Sequence, residues 1–119
     1  MEFGFPTEKI VEGKATILVP KLSEYKQKAS DYAPSKAPVF YNPVMELNRD
    51  FAVIALQAFQ KMIKRELYVS EPMTGCGLRG VRLAVEVEGI QKVVVNDLNP
   101  QGIKPVSYTH LTLPTKRIV

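Results

Sequence analysis

The sequence predicts an α/β fold: the opening of an open, Rossmann-like parallel sheet, preceded by a β-hairpin and a helix. Three observations predict it. Residues 67–97 read as strand, glycine-rich turn, helix, strand and acid, within the roughly 30 residues that one βαβ crossover needs. Upstream, Gln57, Gln60, Lys61 and Lys64 recur at helical spacing. At the front, two short β-type runs flank Glu12-Gly13.

Each element follows in order. Residues 9–11 and 15–19 are the β-type runs, Glu12-Gly13 suits a tight turn, and Pro20 ends the second run. Residues 21–38 are polar, with Pro34 and Pro38, and read as a long loop with a short helix over 22–29. Lys21, Lys26, Lys28 and Lys36 belong to that solvated stretch. Residues 39–43, Val-Phe-Tyr-Asn-Pro, are extended and aromatic. A helix is predicted from residue 45 or 48 to 64. Its polar stripe faces solvent, and Phe51, Ile54, Ala55, Ala58, Phe59 and Met62 are assigned to the core. Residues 67–70 form a short buried strand, and residues 78–88 a helix capped by Gly89. Residues 92–96 form a second strand, with Val93-Val94-Val95 as a fully buried run suited to a parallel sheet covered on both faces. The implied organisation is an N-terminal extension over 1–44 and a nucleoside-binding unit over 45–105.

Residues 106–119 break with what precedes them. They contain no acid, and Val-Ser-Tyr-Thr-His-Leu-Thr-Leu-Pro-Thr resembles a translated transposase sequencing adapter. Setting this tail aside removes Lys116, Arg117 and the single histidine, His110. The formal charge of +4 then loses half its excess, so charge does not argue for nucleic acid. With one cysteine, Cys76, and that histidine, neither a disulfide framework nor a Cys/His zinc site can be built, and no metal is expected. No apolar run spans a bilayer and no secretory signal is visible, so a cytoplasmic location is expected.

The chemistry lies in the turn Glu71-Pro72-Met73-Thr74-Gly75-Cys76-Gly77-Leu78-Arg79-Gly80. Gly75 and Gly77 let the backbone approach a ligand, and the helix start that follows offers free N–H donors. Asp97 closes the second strand, where a carboxylate can accept both ribose hydroxyls of a nucleoside. Gly75, Gly77 and Gly80 also meet the Gly-x-Gly-x-x-Gly spacing of dinucleotide enzymes, which leaves a nicotinamide-dependent dehydrogenase open. A non-catalytic binding domain is a further alternative. Arg79 and Arg82 suit a carboxylate-bearing ligand, though Arg82 has a partner in Glu86 one turn on. Cys76, without a native histidine to activate it, reads as a packing residue.

Three blocks resemble the tRNA guanine-26 N2-dimethyltransferase family in its compact, archaeal-type form: Glu12-Gly13-Lys14-Ala15 with residues 17–20; Pro38-Val39-Phe40-Tyr41-Asn42-Pro43 through Asp50; and Gly77-Leu78-Arg79-Gly80-Val81-Arg82 on to Asn96-Asp97. The resemblance implies a class I methyltransferase fold binding S-adenosyl-L-methionine. It implies that Arg49 and Arg79 hold the methionine carboxylate, that Asp97 holds the ribose, and that Phe40 lines the pocket. Glu71, an acid closing the first strand, stands where class I methyltransferases bind the methionine end. Family members carry Ser-Ala-Thr or Ala-Ser before the position of Gly77; here Thr74-Gly75-Cys76 keeps the residues small. The resemblance further implies a tRNA substrate, and a catalytic Asp-Pro-Phe-Gly-type motif on a later strand that these 119 residues do not contain. On its own the chain is expected to bind cofactor weakly and to be inactive.

Overall fold

A computed structural model describes residues 4–25, 37–102 and 104. The tail over 106–119, His110, and Lys26, Lys28 and Lys36 of the polar stretch lie outside the described residues. The chain opens with an antiparallel hairpin, β1 (Thr7–Glu12) and β2 (Ala15–Pro20), in which Glu12 pairs with Ala15 across Gly13-Lys14. Gly13 has φ +56°, which a tight two-residue turn requires. Ala15, Ile17 and Val19 alternate along β2 and are fully buried. Of the helix suggested over 22–29, Leu22–Tyr25 form a 3₁₀ turn, and residues 26–29 lie outside the described residues.

Helix α1 (Glu46–Ile63) is entered through a 3₁₀ turn at Pro43–Met45. Asn42 starts that turn, its side chain accepting the Val44 amide at 3.1 Å, with Pro43 at the first position. The period predicted for α1 is present, but its phase is rotated. Phe51 (62% exposed), Ile54 (64%) and Met62 (72%) face outward, as do Ala55, Ala58 and Phe59. The inward stripe is instead Arg49, Val53, Leu56 and Gln60, four and three residues apart. Polar contacts set this phase. Arg49 is held by ion pairing to the hairpin, and Gln57 Oε1 accepts the Glu88 amide at 2.7 Å. The stripe of glutamines read as solvent-facing therefore touches protein.

β3 (Leu67–Glu71), α2 (Leu78–Glu86) and β4 (Ile90–Val95) complete the predicted βαβ unit. β3 and β4 pair in parallel, Val69 opposite Val93 and Glu71 opposite Val95. Only alternate residues are covered: Val93 is fully buried, while Tyr68 (74% exposed) and Val94 lie open on the other face. The three-valine run reads as two-sided burial in sequence, yet among the described residues one face of this sheet carries the packing. Residues of β2, α2 and β4, such as Ile17, Val19, Leu78, Val81 and Val93, form one continuous core. The hairpin is thus packed against α2, with its turn at Gly13 beside Arg82 and Glu86.

Candidate cofactor site

The turn after β3 is shaped by its glycines. Gly75 and Gly77 have φ +60° and +82°, a region that disfavours any side chain. A Cβ on Gly75 would also lie 3.0 Å from the Phe40 carbonyl oxygen. Gly80, in the first turn of α2, sits under the sheet: a Cβ there would come within 2.9 Å of Glu71 Oε2 and 2.7 Å of Val95 Cγ1. The loop is laced to its surroundings by backbone bonds. Cys76 donates to the Phe40 carbonyl at 3.2 Å and Thr74 to the Asn96 carbonyl at 2.9 Å.

A pocket opens where this turn meets the start of α1. Phe40, Arg49, Glu71, Gly75 and Arg79 all line it, joined by Asn42 and Thr74. Three buried side-chain atoms on this wall have no hydrogen-bond partner: Glu71 Oε2, Thr74 Oγ1 and Arg79 Nε. Arg79 is otherwise held by donating from Nη2 to Asn48 Oδ1. Burial raises the Glu71 carboxyl above its ordinary range, outweighing the nearby Thr74 hydroxyl, Arg79 charge and Gly80 amide; the hydroxyl and amide pull on the carboxylate, but neither meets Oε2 with full hydrogen-bond geometry. The wall therefore offers an unsatisfied cationic donor beside an unsatisfied carboxyl acceptor. Such a pair can receive a ligand group of each sign.

Arg49 reaches the pocket from the opposite wall, and it is nearly saturated. Nε and Nη2 each donate to Glu12 at 2.7 Å, and Nη1 and Nη2 each donate to the Asn42 carbonyl at 3.2 Å. A guanidinium has five N–H bonds, so one, on Nη1, remains. Burial lowers the Arg49 pKa, but the hydrogen bond and charge of Glu12 more than reverse that. Its guanidinium carbon also lies 5.8 Å from the Tyr41 ring centre. Burial is the main cause that pushes the Tyr41 hydroxyl up to about 12.

Asp97 stands apart from this pocket's lining. Its Oδ2 accepts the Gly75 amide at 2.7 Å and its Oδ1 the Asn99 amide at 2.8 Å. It thereby pins the glycine loop to the end of β4 and keeps one acceptor direction free on each oxygen. Cys76 is buried, and burial pushes its thiol up to about 11, which fits packing rather than nucleophilic chemistry. Arg82 pairs with Glu86 at 2.6 Å as its spacing suggested, and also with Asp50 at 2.6 Å and Glu12 at 3.1 Å. It faces away from the ligand wall.

Among the described residues there is no cluster of His, Cys, Asp and Glu able to hold a metal ion, and no helix is long and apolar enough to cross a membrane. The sequence matches the family model for N2,N2-dimethylguanosine tRNA methyltransferases over residues 13–110. The chain belongs to that family. Similar proteins include the tRNA (guanine(26)-N(2))-dimethyltransferases of Methanothermobacter thermautotrophicus and Sulfurisphaera tokodaii. The first is 43% identical over 78% of this chain and 22% of its own length. The second is 45% identical over 76% of this chain and 23% of its own. A solved structure of Trm1 from Pyrococcus horikoshii, in complex with S-adenosyl-L-methionine, superimposes with a TM-score of 0.67 at 29% identity, over 91% of this chain and 24% of that one. The chain thus spans about a quarter of the length of these relatives. Family and superposition agree with the predicted fold class, the start of a class I methyltransferase sheet behind an N-terminal hairpin and helix.

Sequence reading missed Glu12, Asn42 and Thr74 as parts of this arrangement. The sequence marks Glu12 as a turn residue and Asn42 only as part of the extended stretch 39–43; in the structure Asn42 also starts the 3₁₀ turn at Pro43–Met45. Their second contacts join segments far apart in the chain, and a single sequence carries no trace of that. Thr74 was visible only as a small residue before Gly75.

Proposed function

We propose that this chain forms the cofactor-binding front of an S-adenosyl-L-methionine-dependent tRNA guanine-26 N2-dimethyltransferase, in which Glu71, Thr74, Arg79 and Arg49 receive the amino-acid end of the cofactor. The observation that carries this is the set of three partnerless buried atoms on one wall of one pocket. A buried polar atom without a partner is destabilising by roughly 1–3 kcal/mol, so three together mark a place where a ligand supplies the missing bonds. An α-amino acid is a zwitterion. Arg79 Nε and the remaining Arg49 Nη1 proton match its carboxylate, because guanidinium groups suit that geometry. Glu71 Oε2 and Thr74 Oγ1 match its ammonium group. Phe40 and Gly75 form the floor against which the ligand lies, and Gly77 shapes the turn behind it. Asp97 accepts ribose hydroxyls through the acceptor directions its backbone bonds leave free.

When bound, the cofactor supplies an electrophilic methyl group on a sulfonium. This chain's residues bind and orient that cofactor. The tRNA substrate, a cytoplasmic setting, the division at residues 44 and 105, and the adapter origin of residues 106–119 are parts of the same proposal. The dinucleotide alternative is disfavoured by the pocket's chemistry, since a free carboxyl acceptor beside the loop repels a pyrophosphate. Titration calorimetry of the full-length protein tests the reading. S-adenosylhomocysteine should bind and NAD should not; tighter NAD binding, or failure to methylate a tRNA transcript, would overturn it.

A further inference from the structure

Two of the chain's buried arginines share one carboxylate, and that carboxylate belongs to the hairpin. Glu12 is 5% exposed; Oε1 and Oε2 take the parallel bonds from Arg49, and Oε2 also accepts from Arg82 Nη1. We propose that Glu12 is a positioning residue for the cofactor site: it clamps Arg49 so that the guanidinium's one uncommitted N–H is presented to the ligand carboxylate. This inference rests on the assignment of Arg49 to that carboxylate made above.

The geometry supports positioning over simple charge balance. A carboxylate that only neutralised Arg49 could sit anywhere nearby. Here the two 2.7 Å bonds form a fork, which fixes the guanidinium plane as well as its place. The Asn42 carbonyl takes two more donors, so the side chain has no freedom to turn. Arg82 in turn anchors Glu12, and is itself held by Asp50 and Glu86. The chain of contacts runs from α2 through the hairpin to α1 and ends at the pocket. A freely rotating arginine would lose side-chain entropy on capturing a ligand; this one has already lost it on folding.

The test compares two ligands in the full-length protein. S-adenosylhomocysteine carries the carboxylate; 5′-methylthioadenosine keeps the nucleoside and thioether but lacks the amino-acid end. Glu12→Asp withdraws the carboxylate by one methylene and keeps its charge. Positioning predicts that S-adenosylhomocysteine affinity falls about tenfold or more while methylthioadenosine changes less than about twofold, the scale of one hydrogen bond to a charged group. Equal loss for both ligands would make Glu12 a merely structural residue, and unchanged or tighter S-adenosylhomocysteine binding would make it a bystander or a competitor; either result overturns the proposal. Should Glu12→Asp not fold, Glu12→Gln, of nearly the same shape, is read by the same criteria. Arg49→Met separates the two levels. If it fails to weaken S-adenosylhomocysteine selectively, the assignment of Arg49 is wrong and the Glu12 proposal falls with it; if it does so and the Glu12 variants do not, only Glu12 is misassigned.

Discussion

The molecule buries charge in two places and treats it in opposite ways. Between the hairpin, α1 and α2, Glu12, Arg49, Arg82, Asp50 and Glu86 form a network in which each cation meets at least one carboxylate. On the glycine-loop side, Glu71, Thr74 and Arg79 keep polar atoms buried and unmatched. Both clusters lie within one small fold, and Arg49 reaches both. The difference teaches how to tell structural charge from binding charge: desolvation acts on both, but only the first is compensated within the chain. Gly80 belongs to the second cluster, where it lets α2 pass close under Glu71 Oε2.

The comparison is broken most severely by removing the centre of the compensated cluster. Arg82→Ala leaves Glu12 buried with one cation fewer and strips Glu86 and Asp50 of their partner. A destabilisation of about 3–5 kcal/mol is expected, as for other buried pairs that lose one member, read from urea unfolding. A loss under about 1 kcal/mol would show that the network behaves as a surface cluster. Arg79→Met is the mirror experiment. It removes a cation whose Nε has no partner and whose Nη2 bond to Asn48 is exposed, so folding stability should change little while S-adenosylhomocysteine affinity falls by roughly 1.5–3 kcal/mol, measured by calorimetry. Between these lies Gly75→Ala, which meets a left-handed backbone and the Phe40 carbonyl together. It should lower stability by about 1–2 kcal/mol and weaken ligand binding as well; a loss of stability with intact affinity would separate the loop's shape from the site.

Much of this contrast was legible in the residues, and the limits have physical causes. The βαβ unit, its glycine loop and the hairpin stood out because turn glycines, β-branched runs and helical spacing are local signals. The Arg82–Glu86 pair was visible because it spans one helical turn. The phase of α1 was not. Phe51, Ile54 and Met62 carry the apolar signal, yet Arg49 and two glutamines face the protein, since the ion pair to Glu12 and the Glu88 amide decide the rotation. Hydrophobic periodicity has no means of counting those contacts. The valines of β4 failed for a related reason: an apolar run shows what a strand tolerates, and neighbouring elements determine which face is covered. In the site, Arg49, Glu71, Gly75, Arg79 and Phe40 line one pocket, while Gly77 and Asp97 lie outside its lining. The loop and Asp97 can be nominated from spacing, whereas Arg49 and Phe40 come only from the family resemblance.

The smallest expected effect sharpens the contrast through pH. The Glu71 carboxyl titrates above its ordinary value of 4.5 because burial disfavours its charge. A carboxyl raised on folding contributes stability that is fully present below the unfolded pKa and is lost as pH rises through the folded one. The unliganded protein should therefore lose a modest increment of stability on moving upward from pH 4.5, and Glu71→Gln, which cannot ionise, should lack that increment. Binding should run the other way. A ligand ammonium placed against Glu71 favours the carboxylate and must displace its proton at low pH. Affinity for S-adenosylhomocysteine should consequently rise with pH across the same interval and then level off, while affinity for 5′-methylthioadenosine stays flat. In Glu71→Gln both ligands should be flat. A rise that survives in Glu71→Gln would assign the proton to another group, and a rise shared by methylthioadenosine would move it away from the amino-acid end of the pocket.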